Sequence, residues 1–303
     1  MAAPGSSIVE GGKLVAAWAN YRRLFSQEFA NYKGNLSDLF ANPIRSTGAE
    51  EVYRFMNQLT PMSEFRGERK FQDLRTEGFT LRNKVYSNGV KVAIDDINDD
   101  KLDMVEPQIR MLAQQAQLLW NQLMAGLLDD GITDLGYDGV AYFSASHPLK
   151  SGTQINTRTG HALSAANFAT TMTDMETQTD YQGTVLDIRP THLVCHPNLR
   201  ATAEAIVEHG PLLVGGSGAP NPNYKKAMLI VNPFLTVEDH WYLMDLSKPV
   251  KPFVKQVRQE AAMYMNTDPN QESIKNFRVV EPWAELRGAM GYSMHQLCHC
   301  GQA

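Results

Sequence analysis

Leu14, Trp18, Tyr21, Phe25, Phe29 and Tyr32 recur at steps of three and four, which lines one face of a helix and predicts one from about Lys13 to Tyr32. Arg22, Arg23 and Glu28 fall off that stripe. Periodicity leaves open whether the stripe packs on its own core or, through the Gly-, Asn- and Pro-containing connection 34–48, on a neighbouring molecule. A second amphipathic run predicts the longest helix, from about Val105 to Asp129, with Pro107 in its first turn and Gly131 just past its end. Its expected face is Ile109, Leu112, Ala116, Leu119, Leu123 and Leu127, along a rod of roughly 35 Å at 1.5 Å per residue.

Between these helices the period changes from helical to alternating. Asn88-Gly89 stands between alternating runs, which predicts a two-residue hairpin with Ser87 opposite Val90 and Val85 opposite Val92. That register gathers Phe79, Leu81, Val85, Val90, Val92 and Ile94 on one face, and Thr80, Arg82, Lys84, Tyr86 and Lys91 on the other. Upstream, Glu64 to Glu77 is charged, with few apolar residues to build a core.

After the long helix, 131–160 reads as loops and short strands, followed by a helix over 164–177. Thr191–Cys195 reads as a strand and Asn198–His209 as a helix. The Gly- and Pro-rich stretch 211–223 reads as an exposed loop. Strands follow at 227–231, 240–244 and 253–257, and the chain closes through 277–283 and 289–297. The fold class is α+β.

Composition narrows the function. The 303 residues, 43% hydrophobic and 20% charged, are enough for a sizeable core and exclude a disordered tail. No apolar run approaches the roughly 20 residues of a membrane span, and Met1–Gly12 lacks the pattern of a secretion signal, so synthesis and assembly in the cytoplasm are expected. A net charge of -5 argues against a dedicated phosphate-gripping surface, and any contact with DNA is expected to be weak and non-specific. Three cysteines, Cys195, Cys298 and Cys300, are too few for a disulfide framework.

Candidate chemistry is sparse. His295, Cys298, His299 and Cys300 crowd together, but adjacent ligands strain a tetrahedral metal shell. On a strand, Cys298 and Cys300 would face one way and His299 the other. The acidic run 95–100 lacks the ligand spacing of a calcium loop and reads as a solvated turn capping the long helix. Gly215-Gly216-Ser217-Gly218 is not followed by the lysine and helix of a phosphate loop. Cys195 and His196, as strand neighbours, would point apart. No catalytic residue, cofactor or metal is expected.

The ordered set Ser46-Thr47, Glu51-Val52-Tyr53, Glu64-Phe65-Arg66-Gly67-Glu68-Arg69 and Gly78-Phe79-Thr80-Leu81-Arg82-Asn83-Lys84 resembles the Mu-like bacteriophage major head subunit family. Asp95-Asp96, Asp99-Asp100, Tyr137-Asp138-Gly139, Tyr142-Phe143 and His147-Pro148 continue it, as do Pro190-Thr191-His192-Leu193-Val194 and Arg287-Gly288-Ala289-Met290-Gly291-Tyr292. Phe65 stands where that family usually has Trp. The resemblance implies a Hong Kong 97-type capsid fold and a non-enzymatic subunit that self-assembles as hexamers and pentamers of an icosahedral virion shell around double-stranded DNA. The alternatives are an encapsulin-type cage of the same fold and an unrelated soluble enzyme.

The implied segments are an N-terminal arm at 1–58, an E-loop at 59–95, a peripheral domain at 96–185 with the long helix at 105–129, an axial domain at 186–267, and a return to the peripheral domain with the C-terminal strand at 268–303. Implied partners are further copies of the chain, a portal, a separate scaffolding protein and an optional decoration protein, with no membrane. The absence of a long acidic extension before the first helix adds the expectation that the chain is not cut during maturation. Two interfaces are expected between subunits. One is the stripe of Trp18, Tyr21, Phe25 and Phe29; the other is a charged clamp of Arg66, Glu68, Arg69, Lys70, Asp73, Arg75, Glu77, Arg82 and Lys84.

Overall fold

One 29-residue helix and two larger β-sheets organise the chain in a computed structural model that describes residues 11–54, 78–99, 102–214 and 217–303. Helix α1 (Gly11–Asn31) and a single turn, α2 (Ser37–Phe40), lead into strands β1 (Ala41–Arg45) and β2 (Glu50–Arg54). Strand β3 (Gly78–Arg82) returns antiparallel to β2, and β4 (Lys84–Gly89), β5 (Val92–Ala93) and α3 (Ile94–Asn98) precede the long helix α4 (Leu102–Asp130). Helix α4 starts three residues before the expected Val105, which leaves Pro107 inside it, where the ring removes one backbone hydrogen bond.

Short strands β6 (His147–Pro148), β7 (Thr153–Gln154) and β8 (Thr157–Arg158) follow. Helix α5 (Ala165–Glu176) begins where the Ser164 side chain accepts the Asn167 amide, a normal N-cap. Then come β9 (His192–Cys195), α6 (Arg200–Val207), and β10 (Pro211–Val214) paired antiparallel with β11 (Ser217–Pro220). The expected loop at 211–223 is therefore built around a two-stranded ribbon, because Gly and Pro punctuate strand ends as readily as loops. The chain ends through β12 (Met228–Val231), β13 (Trp241–Met244), β14 (Phe253–Tyr264), α7 (Glu272–Phe277), β15 (Val279–Val280), β16 (Trp283–Tyr292) and β17 (Cys298–Gly301).

The four-stranded sheet has the order β1-β14-β16-β4, and the five-stranded sheet the order β12-β9-β13-β17-β8. The C-terminal half of α4 buries Trp120, Met124, Ala125 and Leu128 with Phe253, Leu286 and Tyr292 of the first sheet, and Tyr242 and Cys300 of the second sheet join the same core. Leu119, Leu123 and Leu127 are its half-buried flank rather than its centre. Close approach at this joint depends on Gly288, where a Cβ would run into the Gln256 carbonyl and lie 2.7 Å from the Trp120 ring.

Two expectations change. The Asn88-Gly89 hairpin is not formed: neither residue has the positive φ of a type I′ turn, and β4 pairs instead with β16, Asn88 opposite Ala284 and Gly89 opposite Trp283. Strand β16 is ten residues long and mostly buried, a better partner than the few residues after Gly89. The expected faces hold except at one step: Leu81, Val92 and Ile94 are buried and Arg82, Lys84 and Lys91 are exposed, whereas after buried Asn83 the alternation breaks, leaving Val85 56% exposed and Tyr86 packed on the core.

Secondly, the stripe of α1 folds back on its own chain. Leu14, Ala17, Tyr21, Leu24 and Phe25 are buried with Ile109, Leu112 and Ala113 of α4, and Trp18 and Phe29 are only partly covered. Tyr21 and Phe25 are 0% and 2% exposed, so they are not free for another subunit. The α4 surface supplies the apolar complement within the chain, and the N-terminal region is tied down along its length. Gln114 Nε2 donates to Glu28 Oε1 at 2.9 Å, Gln117 Nε2 to the Phe29 carbonyl at 3.1 Å, and Asn121 Nδ2 to the Gly34 carbonyl at 2.7 Å.

The segment 268–303 contributes to both larger sheets. Strand β16 lies in the four-stranded sheet beside α4, but β17 crosses into the five-stranded sheet between β13 and β8. Strand β1, assigned with the arm, likewise pairs parallel with β14.

Candidate assembly surfaces and a buried histidine cluster

The base of the β2–β3 ribbon is held by a polar chain that no periodicity announces. The Tyr53 hydroxyl donates to Gln256 Oε1 at 2.6 Å, and Gln256 Nε2 donates to Asn83 Oδ1 at 2.7 Å. Asn83 Nδ2 donates in turn to Ser46 Oγ at 2.9 Å, and Glu51 Oε1 accepts the Thr47 and Gly48 amides, both at 3.0 Å. Those amides hold the Glu51 carboxyl below its usual range, with Ser46 adding to them. Ser46, Glu51 and Asn83, quoted above as fragments of a resemblance, thus form one joint that orients the ribbon on the four-stranded sheet.

Of the charged clamp, Arg82 and Lys84 are described, and both are exposed. Arg66, Glu68, Arg69, Lys70, Asp73, Arg75 and Glu77 lie outside the described residues. Beside Lys84, β4 is the free edge of its sheet, and a groove of about 390 Å³ runs between it and α4, lined by Val85, Tyr86, Leu112, Ala116, Leu119 and Leu286 among others. On α1, Trp18 packs on the edge of the core and, half-covered, lines a surface patch with exposed Val15, Arg22 and Arg23.

The C-terminal cysteines follow the strand alternation. Cys298 and Cys300 join the core under α4, while His299 points to the opposite face and feels Asp174 and Arg158. Burial pushes all three thiols up, Cys195 to about 11. The neighbouring His196 is engaged elsewhere, its Nδ1 accepting the Asn198 amide at 3.2 Å. The native protein is therefore expected to be inert to thiol reagents at pH 8 and to react at three sites once unfolded. Rapid labelling of a thiol in the folded chain, read by mass spectrometry, would contradict this burial. Asp95 and Asp96 of the acidic run start a separate helix, α3, and Asp95 pairs with Arg278; Asp100, at the entry to α4, lies outside the described residues.

A buried cluster was missed in the sequence because its members lie far apart. Asp138 and His147 come from the segment after α4, and His295 comes from the turn before β17. His147 Nδ1 lies 2.6 Å from Asp138 Oδ2, and His295 Nδ1 lies 3.8 Å from the same oxygen. The donor atoms suit a metal in kind. The rings do not suit one in orientation: they stack 3.5 Å apart and 4° from parallel, so an ion in the plane of one imidazole is far out of the plane of the other. Among the described residues no helix is long and apolar enough to cross a membrane.

The sequence model of the family described as Mu-like prophage major head subunit gpT matches residues 14–161, 151–235 and 236–303. The Mu-like prophage FluMu major head subunit of Haemophilus influenzae is 22% identical over 286 residues, 94% of this chain and 71% of that protein. The major capsid protein of Escherichia phage Mu is 24% identical over 160 residues, about half of each chain (51% and 52%). Among solved structures, a procapsid subunit of bacteriophage JBD30 superposes with a TM-score of 0.62 at 21% identity, over 97% of this chain and 76% of that one. The helix α4 lying against a four-stranded sheet, the β2–β3 ribbon at its side and the separate five-stranded sheet are thus the parts of a Hong Kong 97-type capsid fold. With the family's sequence pattern running almost end to end through those parts, the chain belongs to the Mu-like prophage major head subunit gpT family.

Proposed function

We propose that this chain is the shell subunit of a Mu-like tailed phage, assembling with copies of itself into the icosahedral head that encloses double-stranded DNA. The observation that carries this is the family match through residues 14–303, which the fold alone does not replace, since cages that are not phage heads share it. Closed shells need several complementary surfaces on each subunit, and an extended ribbon supplies contact area that a compact domain lacks. Expression of the chain followed by electron microscopy tests the reading. Shells or hexamer sheets support it, and a monodisperse monomer under all assembly conditions would sink it.

In this reading the four-stranded sheet with α4 is the peripheral region and the five-stranded sheet is the axial region, nearer the centre of a capsomer. A portal and a separate scaffolding protein complete the assembly, which takes place in the host cytoplasm. Contact with DNA is weak and general, consistent with the net charge of -5. No catalytic step is assigned to the chain.

The segment 64–84 acts here as a clamp on the adjacent subunit. It carries six basic residues (Arg66, Arg69, Lys70, Arg75, Arg82, Lys84) and four acidic ones (Glu64, Glu68, Asp73, Glu77). A single exposed pair contributes only about 0–1 kcal/mol, but every subunit of a shell repeats the contact. Reversing Arg69 and Arg75 to glutamate is expected to weaken shells, most at low salt, and to leave the free subunit folded. Equal shell melting in mutant and parent across a salt series would remove the clamp.

A further inference from the structure

The hydrogen bonds around the buried histidines dictate where their protons are. Asn156 Nδ2 donates to the carbonyls of Tyr142, His295 and Cys298 at 2.8, 3.2 and 3.2 Å, so its Oδ1 is the accepting end, and it takes the Ser144 amide at 2.8 Å. His147 Nε2, 3.0 Å from that same oxygen, must therefore carry a proton. Its other nitrogen, Nδ1, faces Asp138 Oδ2 at 2.6 Å, with side chains 0% and 4% exposed. A lone pair and a carboxylate oxygen do not sit at that distance unaided. One further proton lies between them.

The second ring is set differently. Gln154 Oε1 accepts the Thr179 amide at 3.2 Å, which turns its Nε2 as a donor toward His295 Nε2 at 3.5 Å. The proton of His295 is then on Nδ1, aimed at Asp138, and no hydrogen-bond partner completes it. Tyr137 stacks on His295 at 5.5 Å, and Gln296 Nε2 is 3.3 Å from the Tyr137 hydroxyl. Among the described residues, Asp138 is thus the carboxylate that faces both rings. The other titratable neighbour is His299, beyond which stand Asp174 and Arg158.

We propose that Asp138, His147 and His295 form an acid-sensitive latch in which one shared proton is accommodated and a second, on His295, forces the joint open. A proton arriving at His295 Nε2 meets the amide N–H of Gln154 and puts two imidazolium rings face to face at 3.5 Å with a single carboxylate to serve both. Burial, with His147 and then His299 adding to it, holds His295 well below its usual range, in line with that cost. What opens is defined by what the cluster ties together. Asn156 releases the carbonyls of His295 and Cys298, and the pairing of Cys300 with Thr157 and Gly301 with Arg158 is lost, so β8 leaves the edge of the five-stranded sheet. The latch belongs to the folded subunit and does not depend on the shell reading.

Imidazole nitrogen NMR and amide exchange of the unassembled full chain, followed from pH 7.5 downward, test this. At the neutral end His147 is expected to carry protons on both nitrogens and His295 on Nδ1 alone. On acidification, the opening equilibrium at 156–158 and 298–302, taken as exchange divided by the intrinsic amide rate at each pH, is expected to rise below about pH 6.5 ahead of β9 and β13, by about tenfold per pH unit for the His295 proton, with His299 adding its own share as β17 opens. His295→Phe keeps the ring stack and removes the second proton, so the acid-induced rise should lose the share due to His295 and keep only what His299 in β17 contributes. A single proton on His147, an unchanged rise in His295→Phe, or a stoichiometric zinc ion released by chelator would each overturn the latch. Should His295→Phe fail to fold, the protonation pattern and regional exchange of the parent chain decide the matter alone.

Discussion

Replacing Phe25 by alanine is expected to lower the unfolding free energy of the isolated subunit by about 3–5 kcal/mol, the usual cost of deleting a buried phenyl ring. Phe25 is 2% exposed, stacks with Phe29 at 6.0 Å, and faces the N-terminal half of α4 with Tyr21 and Leu24. The loss should appear in denaturant melts before any assembly is attempted. Trp18 provides the contrast: it is half-covered within the chain, beside exposed Arg22 and Arg23, so Trp18→Ala should cost the subunit less and assembly more. If Phe25→Ala melts like the parent, α1 does not pack on α4 in solution.

Acidification supplies the second large effect. His295 and His299 are buried with their acidities shifted so that the folded chain resists protonation, His299 titrating only at about 3, and burial is the first cause for both. In the unfolded chain both take up a proton near pH 6.5. The unfolded state therefore binds more protons below that pH, and stability falls as pH drops from about 6.5 toward 3. His299 contributes about 1.4 kcal/mol per pH unit in that window, on the order of 3 kcal/mol by pH 4.5, and His295 adds to the loss in the same direction. Melts of the unassembled subunit between pH 7.5 and 4.5 read this directly. A flat profile would mean that these rings are hydrated in solution. At the alkaline end the sign reverses for Tyr21 and Tyr53, both pushed up to about 12 chiefly by burial, so ionisation in the unfolded chain erodes stability above pH 10.

The two effects meet in the C-terminal strand, whose faces serve different neighbours. Cys298 and Cys300 fill the core beneath α4, whereas His299 looks toward α5. Gly301 ends the strand where a Cβ would run into the Trp241 indole, and that indole donates to the His161 carbonyl at 2.9 Å. Tight packing on both faces leaves little room for a charged imidazole.

By itself the sequence determined the elements whose signals are local. The three-and-four spacing of α1 and α4, the serine cap of α5, the strand and helix at 192–207 and the alternation of Cys298, His299 and Cys300 each follow from neighbours a few residues apart. The ordered fragments from Ser46 to Tyr292 also identified the family before any fold was drawn. Tertiary structure decided every pairing made across a long separation. Asn88-Gly89 carries a strong local turn signal, yet β16, nearly two hundred residues away, offers a longer buried ladder and takes the strand instead. The aromatic stripe of α1 was legible as a stripe, but only the presence of the α4 surface turned Tyr21 and Phe25 inward. The joint of Ser46, Tyr53, Asn83 and Gln256 and the cluster of Asp138, His147 and His295 join residues with no common period. Each polar group there is buried only because a distant one satisfies it, and that partnership exists only once the chain has folded.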